Sequence, residues 1–463
     1  MKAKFKNIGP VHEAELDLKD LTIIAGANNT GKTYLTYTLY GFLRFIREVI
    51  FSQNMISEIP FDINKASQSI LESGSVEYSI KGFEEKSKQV VSGVFRIFPK
   101  NIADIFSAPQ KDFVKTEFGL YSDIISQGKR ESVVRFGLKE KRSYRLTASY
   151  VEGILSFKLN PLEPDFHQEA IEDMLVAAFT RLCMPDFPDP FILSSERFGI
   201  SLFYKELDFT KNRLVETLQK LKDLGSAKNI DPFFLFMEQA SSRYAKPIKD
   251  NIDFTRDIAR IRKQKSELIQ SKDFCNKIKK IMGGSFKEKN GEIRFVSTAK
   301  KNKYFNIPLH LASSSARGLS DFYFYLAHIA SRGQLLIIDE PESHLSPTNQ
   351  IELARLLALC VNAGVKVFIT THSDYMVKEF NNLVMLSHDF SGKDRFLKKY
   401  SKHYGDGVFL KPDSVAAYVC ENGTLTACEV DQLGLNMPVF DQAIDQINKI
   451  ANELALSVEQ SWN

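Results

Sequence analysis

The chain has 463 residues, of which 43% are hydrophobic and 25% charged, with a formal net charge of +4. This is the composition of a folded protein long enough for two or three domains, and no run of eighteen apolar residues offers a membrane span. The five cysteines, at positions 183, 275, 360, 420 and 428, form no Cys-x-x-Cys pair, which argues against a zinc site or a disulfide framework.

The first six residues lack the apolar stretch of a signal peptide, so a cytoplasmic location is expected. Strands are predicted around 4–7 and 14–18, and the apolar run Leu21-Thr22-Ile23-Ile24-Ala25 predicts a third. It leads into Gly26-Ala27-Asn28-Asn29-Thr30-Gly31-Lys32-Thr33, a complete phosphate-binding loop, with a helical pattern over 34–50 behind it. Strand, glycine loop and helix is the context this motif requires. Loop N–H groups and the helix N-terminus attract an anion. Gly26, Asn28, Asn29, Thr30, Gly31 and Lys32 are therefore candidate phosphate contacts, with Lys32 reaching the β- and γ-phosphates and Thr33 able to hold Mg²⁺. Nucleoside triphosphate binding follows. Tyr34, Tyr37, Tyr40 and Phe45 on the helix fit core packing better than a base-stacking platform.

Residues 55–190 are poorly patterned, with strand-like pieces at 75–80 and 133–136. Pro185, Pro188 and Pro190 precede a short apolar strand, Phe191-Ile192-Leu193. From 202 to 281 the pattern is helical and interrupted by Pro232 and Pro247, without a sustained heptad. Between Ser241 and Tyr304 eighteen Lys/Arg stand against seven Asp/Glu. Such a segment is either a contact for a nucleic-acid backbone or a solvated helix face. Gly283-Gly284 closes this lobe, and strands are expected at 293–296 and 305–309.

Ser313, Ser314 and Ser315 precede an aromatic-rich helix expected over 319–331. Such a cluster either caps the helix or offers donors to an anion. The strand Leu335-Leu336-Ile337-Ile338 ends in Asp339-Glu340, placing Asp339 to bind Mg²⁺ and Glu340 to orient or deprotonate an attacking water. Ser346-Pro347 opens an amphipathic helix to about 361, and the apolar strand 365–370 delivers His372, a candidate hydrogen-bond donor to the γ-phosphate. A hairpin turning at Glu421-Asn422-Gly423 and a final amphipathic helix over 439–456 read as part of the same body.

Phosphate loop, serine segment, strand with Asp-Glu and strand with His, in that order, resemble the ABC class of ATPases, in its SMC- and Rad50-like branch. Gly-Ala-Asn-Asn-Thr-Gly-Lys-Thr, Ile-Asp-Glu-Pro-Glu-Ser-His-Leu-Ser-Pro and Thr-Thr-His-Ser-Asp look most like the compact ATPases of bacterial anti-phage defence, including OLD-type proteins and the Septu and retron ATPases. The resemblance covers about 1–50 and 290–386. It implies an α/β phosphate-loop fold of the ABC type assembled from both ends of the chain. The divisions expected are 1–54 as its first part, 55–190 as a mixed insertion, 191–290 as a short helical lobe and 291–463 as its second part. It also implies ATP and Mg²⁺ as cofactors and a head-to-tail homodimer, in which Lys32, Thr33, Asp339, Glu340 and His372 of one protomer face Ser313, Ser314 or Ser315 of the other. Residues 343–347 would sit at the seam.

Two departures stand out. The serine segment is not of the Ser-Gly-Gly type, and the glutamine expected after strand 191–193 is replaced by Ser194-Ser195-Glu196-Arg197. Glu196 and Arg197 either approach metal and phosphate or form a surface ion pair. The function implied is an ATPase that senses DNA or a phage component and controls a separate effector, a nuclease. A self-sufficient OLD-like nuclease, a Rad50-like repair ATPase and a transporter motor are the alternatives.

Overall fold

The computed structural model describes residues 1–48, 59–121, 130–136, 144–160, 168–183, 187–203, 244–270, 272–289, 292–297, 305–405 and 407–461. Pro185 and Pro232, named above, lie outside them, as do residues 298–304 of the basic stretch and most of the helical pattern before residue 244. The chain divides into two units, one of residues 41–102 and 117–189, the other of residues 2–40, 103–116 and 190–463.

The larger unit is α/β and carries every motif named above. Its mixed sheet draws strands from both ends of the chain, in the order Lys2–Ile8, Val11–Asp17, Thr424–Cys428, Val415–Glu421, Leu21–Ala25, Lys366–Thr371, Leu335–Asp339 and Pro190–Leu193. The last five run parallel to one another. Leu21–Ala25 and Leu335–Asp339 are buried at every residue, as strands covered on both faces must be, and for that reason they read as near-continuous apolar runs, broken only by Thr22 and by the closing Asp339.

Parallel strands bring their C-terminal ends to one edge, the place where open α/β sheets bind ligands. Ala25 leads there into the phosphate loop, Thr371 into His372, Asp339 into Glu340 and Leu193 into Ser194. Four strand ends distant in sequence thus meet because their strands are neighbours.

The helix after the phosphate loop begins at Lys32, two residues earlier than expected, and buries Tyr37, Tyr40 and Phe45. The serine segment also differs from expectation. The helix there is Ser314–His328, and Ser313 is its N-cap, accepting from Ala316 N at 3.3 Å. The serines form its first turn because a Ser hydroxyl satisfies N–H groups that the turn leaves open. A three-stranded sheet, Gly284–Lys289, Glu292–Ser297 and Asn306–Pro308, belongs to this unit. Its C-terminal helix, Pro438–Ser461, leaves Ile447, Ile450 and Leu454 exposed, instead of packing them into the body.

The smaller unit holds an antiparallel sheet in the order Ser75–Ser79, Ile154–Asn160, Tyr144–Val151 and Arg130–Phe136. Helices Ile63–Ser73, Phe83–Ile97 and Gln168–Cys183 accompany it, and Phe157 and Phe179 are fully buried. Among the described residues no helix is long and apolar enough to cross a membrane.

Candidate nucleotide site

The loop between strand Leu21–Ala25 and helix Lys32–Glu48 closes tightly on the sheet. Gly26 has φ +146°, and a Cβ there would lie 2.3 Å from the carbonyl oxygen of Cys420, so only glycine fits. Lys32, 6% exposed, curls inward and donates to the carbonyls of Gly26 at 3.0 Å and Ala27 at 2.8 Å. Burial pushes its ammonium below the usual range, against the pull of Cys420, Glu340, Asp339 and Glu342. Thr30 Oγ1 donates to the Ala27 carbonyl at 2.9 Å, and Asn29 holds a left-handed φ of +62°. Asn28 and Asn29 are exposed at the loop's tip.

Thr33 Oγ1 donates to Asp339 Oδ2 at 3.2 Å, while the Thr370 hydroxyl donates to Oδ1. Burial nevertheless pushes the Asp339 carboxyl above its ordinary range. A buried carboxylate beside a threonine hydroxyl is a hard oxygen pair that suits Mg²⁺, and a divalent cation would relieve the desolvation. Thr33 and Asp339 are therefore the residues that would hold it.

Glu340 stands just beyond the strand with φ +49°, a strained conformation for a non-glycine residue. Its N–H donates to the Thr370 carbonyl, and Ser343 Oγ donates to its Oε2 at 3.2 Å. His372 Nε2 lies 3.6 Å from its Oε1. That contact, with the charges and hydroxyl around it, holds the Glu340 carboxyl below its usual range despite partial burial. Glu342 is a neighbour that sequence reasoning missed. Its Oε1 accepts from the His372 N–H at 2.5 Å and so fixes the start of the turn after the strand. Burial pushes the Glu342 carboxyl up. Ser373 then caps helix Asp374–Met385 by accepting from Met376 N, which sets where His372 sits.

The geometry brings Lys32, Thr33, Asp339, Glu340 and His372 together. It does not bring Ser313, Ser314 or Ser315 to them. Those serines bond within their own turn, Ser313 to Ser315 at 3.0 Å and Ser314 to Arg317 at 3.2 Å.

Neither Glu196 nor Arg197 forms an ion pair among the described residues, and both lie within electrostatic reach of Asp339. Glu196 is exposed and accepts from the Tyr37 hydroxyl at 3.0 Å. Arg197 is only 3% exposed, and its guanidinium ends on main-chain carbonyls, including those of Asp339 and Glu340 at 2.7 Å each. Burial works against its charge, which Asp339, Glu342, Glu340 and Asp321 favour.

In the basic stretch much of the charge is paired. Arg262 meets Glu288, Arg260 meets Asp257 and Lys280 meets Glu352, while Lys263 and Lys265 are exposed.

Residues 186–378 match the model of a family described as "AAA domain, putative AbiEii toxin, Type IV TA system". The matched stretch contains Asp339, Glu340 and His372 and begins after the phosphate loop. No curated protein sequence matches the chain. Among solved structures, an Smc head domain with an extended coiled coil, derived from Pyrococcus furiosus and bound to the C-terminal domain of ScpA, is similar at 13% identity and a TM-score of 0.33. That similarity covers 97% of this chain and 98% of that one. The SMC head domain from Thermotoga maritima is similar at 12% identity and a TM-score of 0.28, covering 93% and 98%.

Proposed function

We propose that the protein binds and hydrolyses ATP with Mg²⁺ as an ABC-class ATPase subunit of a bacterial anti-phage defence complex. In it the nucleotide state would govern a separate effector, a nuclease. The observation that carries the nucleotide reading is the convergence of Lys32 and Thr33 with Asp339 and Glu340, from opposite ends of the chain, at one edge of a parallel sheet. Gly26, Asn28, Asn29, Thr30, Gly31 and Lys32 would cradle the phosphates. Mg²⁺, when bound by Thr33 and Asp339, would neutralise phosphate charge. Glu340, kept ionised by His372, is suited to accept a proton from water. His372 would in turn donate toward the γ-phosphate.

The serines stand at the N-terminus of helix Ser314–His328, where N–H groups favour an anion, and in a head-to-tail homodimer Ser313, Ser314 or Ser315 would serve the partner's nucleotide. The toxin-system description of the family matched at 186–378 supports a defence setting. Lys263 and Lys265, exposed in the basic stretch, would be candidates for a DNA contact. The test is steady-state ATP turnover by the purified chain, alone and with the products of neighbouring genes. An ATPase that forms a complex with a nuclease and alters its cutting supports the reading. No turnover in any combination, or DNA cutting by this chain alone, overturns it.

A further inference from the structure

Arg197 is a buried cation that pairs with no carboxylate among the described residues. Four hydrogen bonds from its five N–H groups go to backbone oxygens. Nε donates to Gly318 at 3.2 Å, one terminal nitrogen to Ser194 at 2.9 Å and Asp339 at 2.7 Å, and the other to Glu340 at 2.7 Å. Burying a guanidinium is costly, and a methionine or leucine would fill such space more cheaply. What only the guanidinium supplies is a rigid planar fork that fixes several carbonyls relative to each other.

The carbonyls it ties belong to three elements. Ser194 follows strand Pro190–Leu193, Asp339 ends the acid strand with Glu340 just beyond it, and Gly318 lies in the second turn of the helix that Ser313 caps. Phe198 extends the tie. Its ring packs so closely on Gly318 that a Cβ there would lie 1.8 Å from it, and it meets the His344 ring edge-on with centroids 4.3 Å apart. The Arg197 guanidinium in turn lies 4.7 Å from the Phe198 ring centre. His344 and Glu340, both at positive φ, bracket the turn after the acid strand.

We propose that Arg197 and Phe198 are positioning residues that couple the serine-bearing helix and the His344 turn to the carboxylate of Glu340. A shift of the serine turn moves Gly318, and Arg197 and Phe198 pass that shift to the backbone from which Glu340 projects. The strained φ of Glu340 gives the backbone a conformation that outside contacts must hold, and the Arg197 bond to its carbonyl is one of them, beside the Thr370 oxygens that accept from its N–H. The inference rests on the reading of Glu340 as the water-orienting group.

The test uses Arg197→Lys, which keeps a positive charge but not the fork, and Phe198→Leu, which leaves the guanidinium bonds in place. Affinity for a fluorescent ATP analogue, kcat, KM and melting temperature are measured for each, alone and combined with Glu340→Gln. Both single variants are expected to keep nucleotide affinity and KM within about twofold while kcat falls about 10- to 100-fold. Neither should lower the residual turnover of Glu340→Gln further, because they act through that residue. Unchanged kcat, a matching loss of affinity, or a full additional loss in the Glu340→Gln background each overturns the coupling. If Glu340→Gln itself turns over like the unaltered protein, the reading of Glu340 fails. If it is inactive while Arg197→Lys and Phe198→Leu are normal, only the coupling fails.

Discussion

Thr33 and Asp339 are joined by a hydrogen bond of 3.2 Å across 306 positions of sequence. Thr33 starts the helix that follows strand Leu21–Ala25, and Asp339 ends a strand two places from that one in the sheet, with the His372 strand between them. Thr33→Val removes the hydroxyl and keeps the shape, and Asp339→Asn removes the charge. Each is expected to abolish the strengthening of ATP binding by Mg²⁺, by about tenfold or more, in titrations with and without the metal. Asp339→Asn should also raise the melting temperature in metal-free buffer at neutral pH, because a desolvated charge is gone. An Mg²⁺ effect as large as in the unaltered protein would show that the cation is held elsewhere.

Lys32 and Glu340 separate binding from chemistry. Lys32→Ala should abolish turnover and weaken ATP binding, since the buried ammonium is the cation nearest the loop. Glu340→Gln should bind ATP as before and lose about 10²- to 10⁴-fold in kcat, the usual worth of a positioned base. With chemistry blocked, light scattering after gel filtration should show an ATP-dependent dimer. A monomer at every nucleotide condition would rule out the shared site.

The pH profile reports on His372. Its contact holds the Glu340 carboxyl below the ordinary range, so Glu340 stays ionised, and competent as a base, to lower pH than an isolated glutamate. His372→Ala removes that support and lets the Glu340 pKa rise. The acid limb of kcat/KM against pH is expected to move to higher pH in the variant, with the plateau lowered as well. An acid limb at the same pH in both proteins would separate Glu340 from His372.

If DNA lies along the basic stretch, Lys263→Ala with Lys265→Ala should weaken binding to duplexes of any sequence and flatten its salt dependence. Anisotropy titrations at several salt concentrations read both. Identical salt slopes would assign these lysines to a solvated face.

The motif-bearing strands were legible because strands covered on both faces must be apolar nearly throughout, so Leu21–Ala25 and Leu335–Asp339 end visibly where their chemistry begins. Their order in the sheet was not, because no residue in one strand names its neighbour. The sequence leaves Arg197 open between a metal or phosphate contact and a surface ion pair, since nothing local distinguishes a guanidinium bound for distant carbonyls from one bound for water. The Ser314–His328 helix began earlier than its apolar pattern because a capping serine starts a helix before the first apolar residue. In the smaller unit, Tyr144–Val151 mixes Arg, Thr and Ser with apolar residues, and helix Gln168–Cys183 is buried on nearly all sides. Neither gives a clean period, so only the strands Ser75–Ser79 and Arg130–Phe136 of the four-stranded sheet are legible, as the pieces at 75–80 and 133–136.

Asp321 provides a test of stability in place of turnover. It lies on the serine-bearing helix, 2% exposed, and accepts from the Thr255 hydroxyl at 3.1 Å and more weakly from Ser320 at 3.4 Å. Burial pushes its carboxyl up to about 7, against those bonds and the Arg197 charge. With the folded pKa above the unfolded one, the folded state holds this proton more tightly. The group costs nothing below the unfolded pKa, costs progressively more as pH rises toward 7, and costs a constant amount above it. Asp321→Asn keeps the shape and an acceptor oxygen without the charge. Its melting temperature should exceed that of the unaltered protein at pH 8, and the gap should close as pH falls from 7 toward 4. Parallel melting curves across that window would mean that Asp321 stays ionised in the fold and that the Arg197 guanidinium compensates it fully.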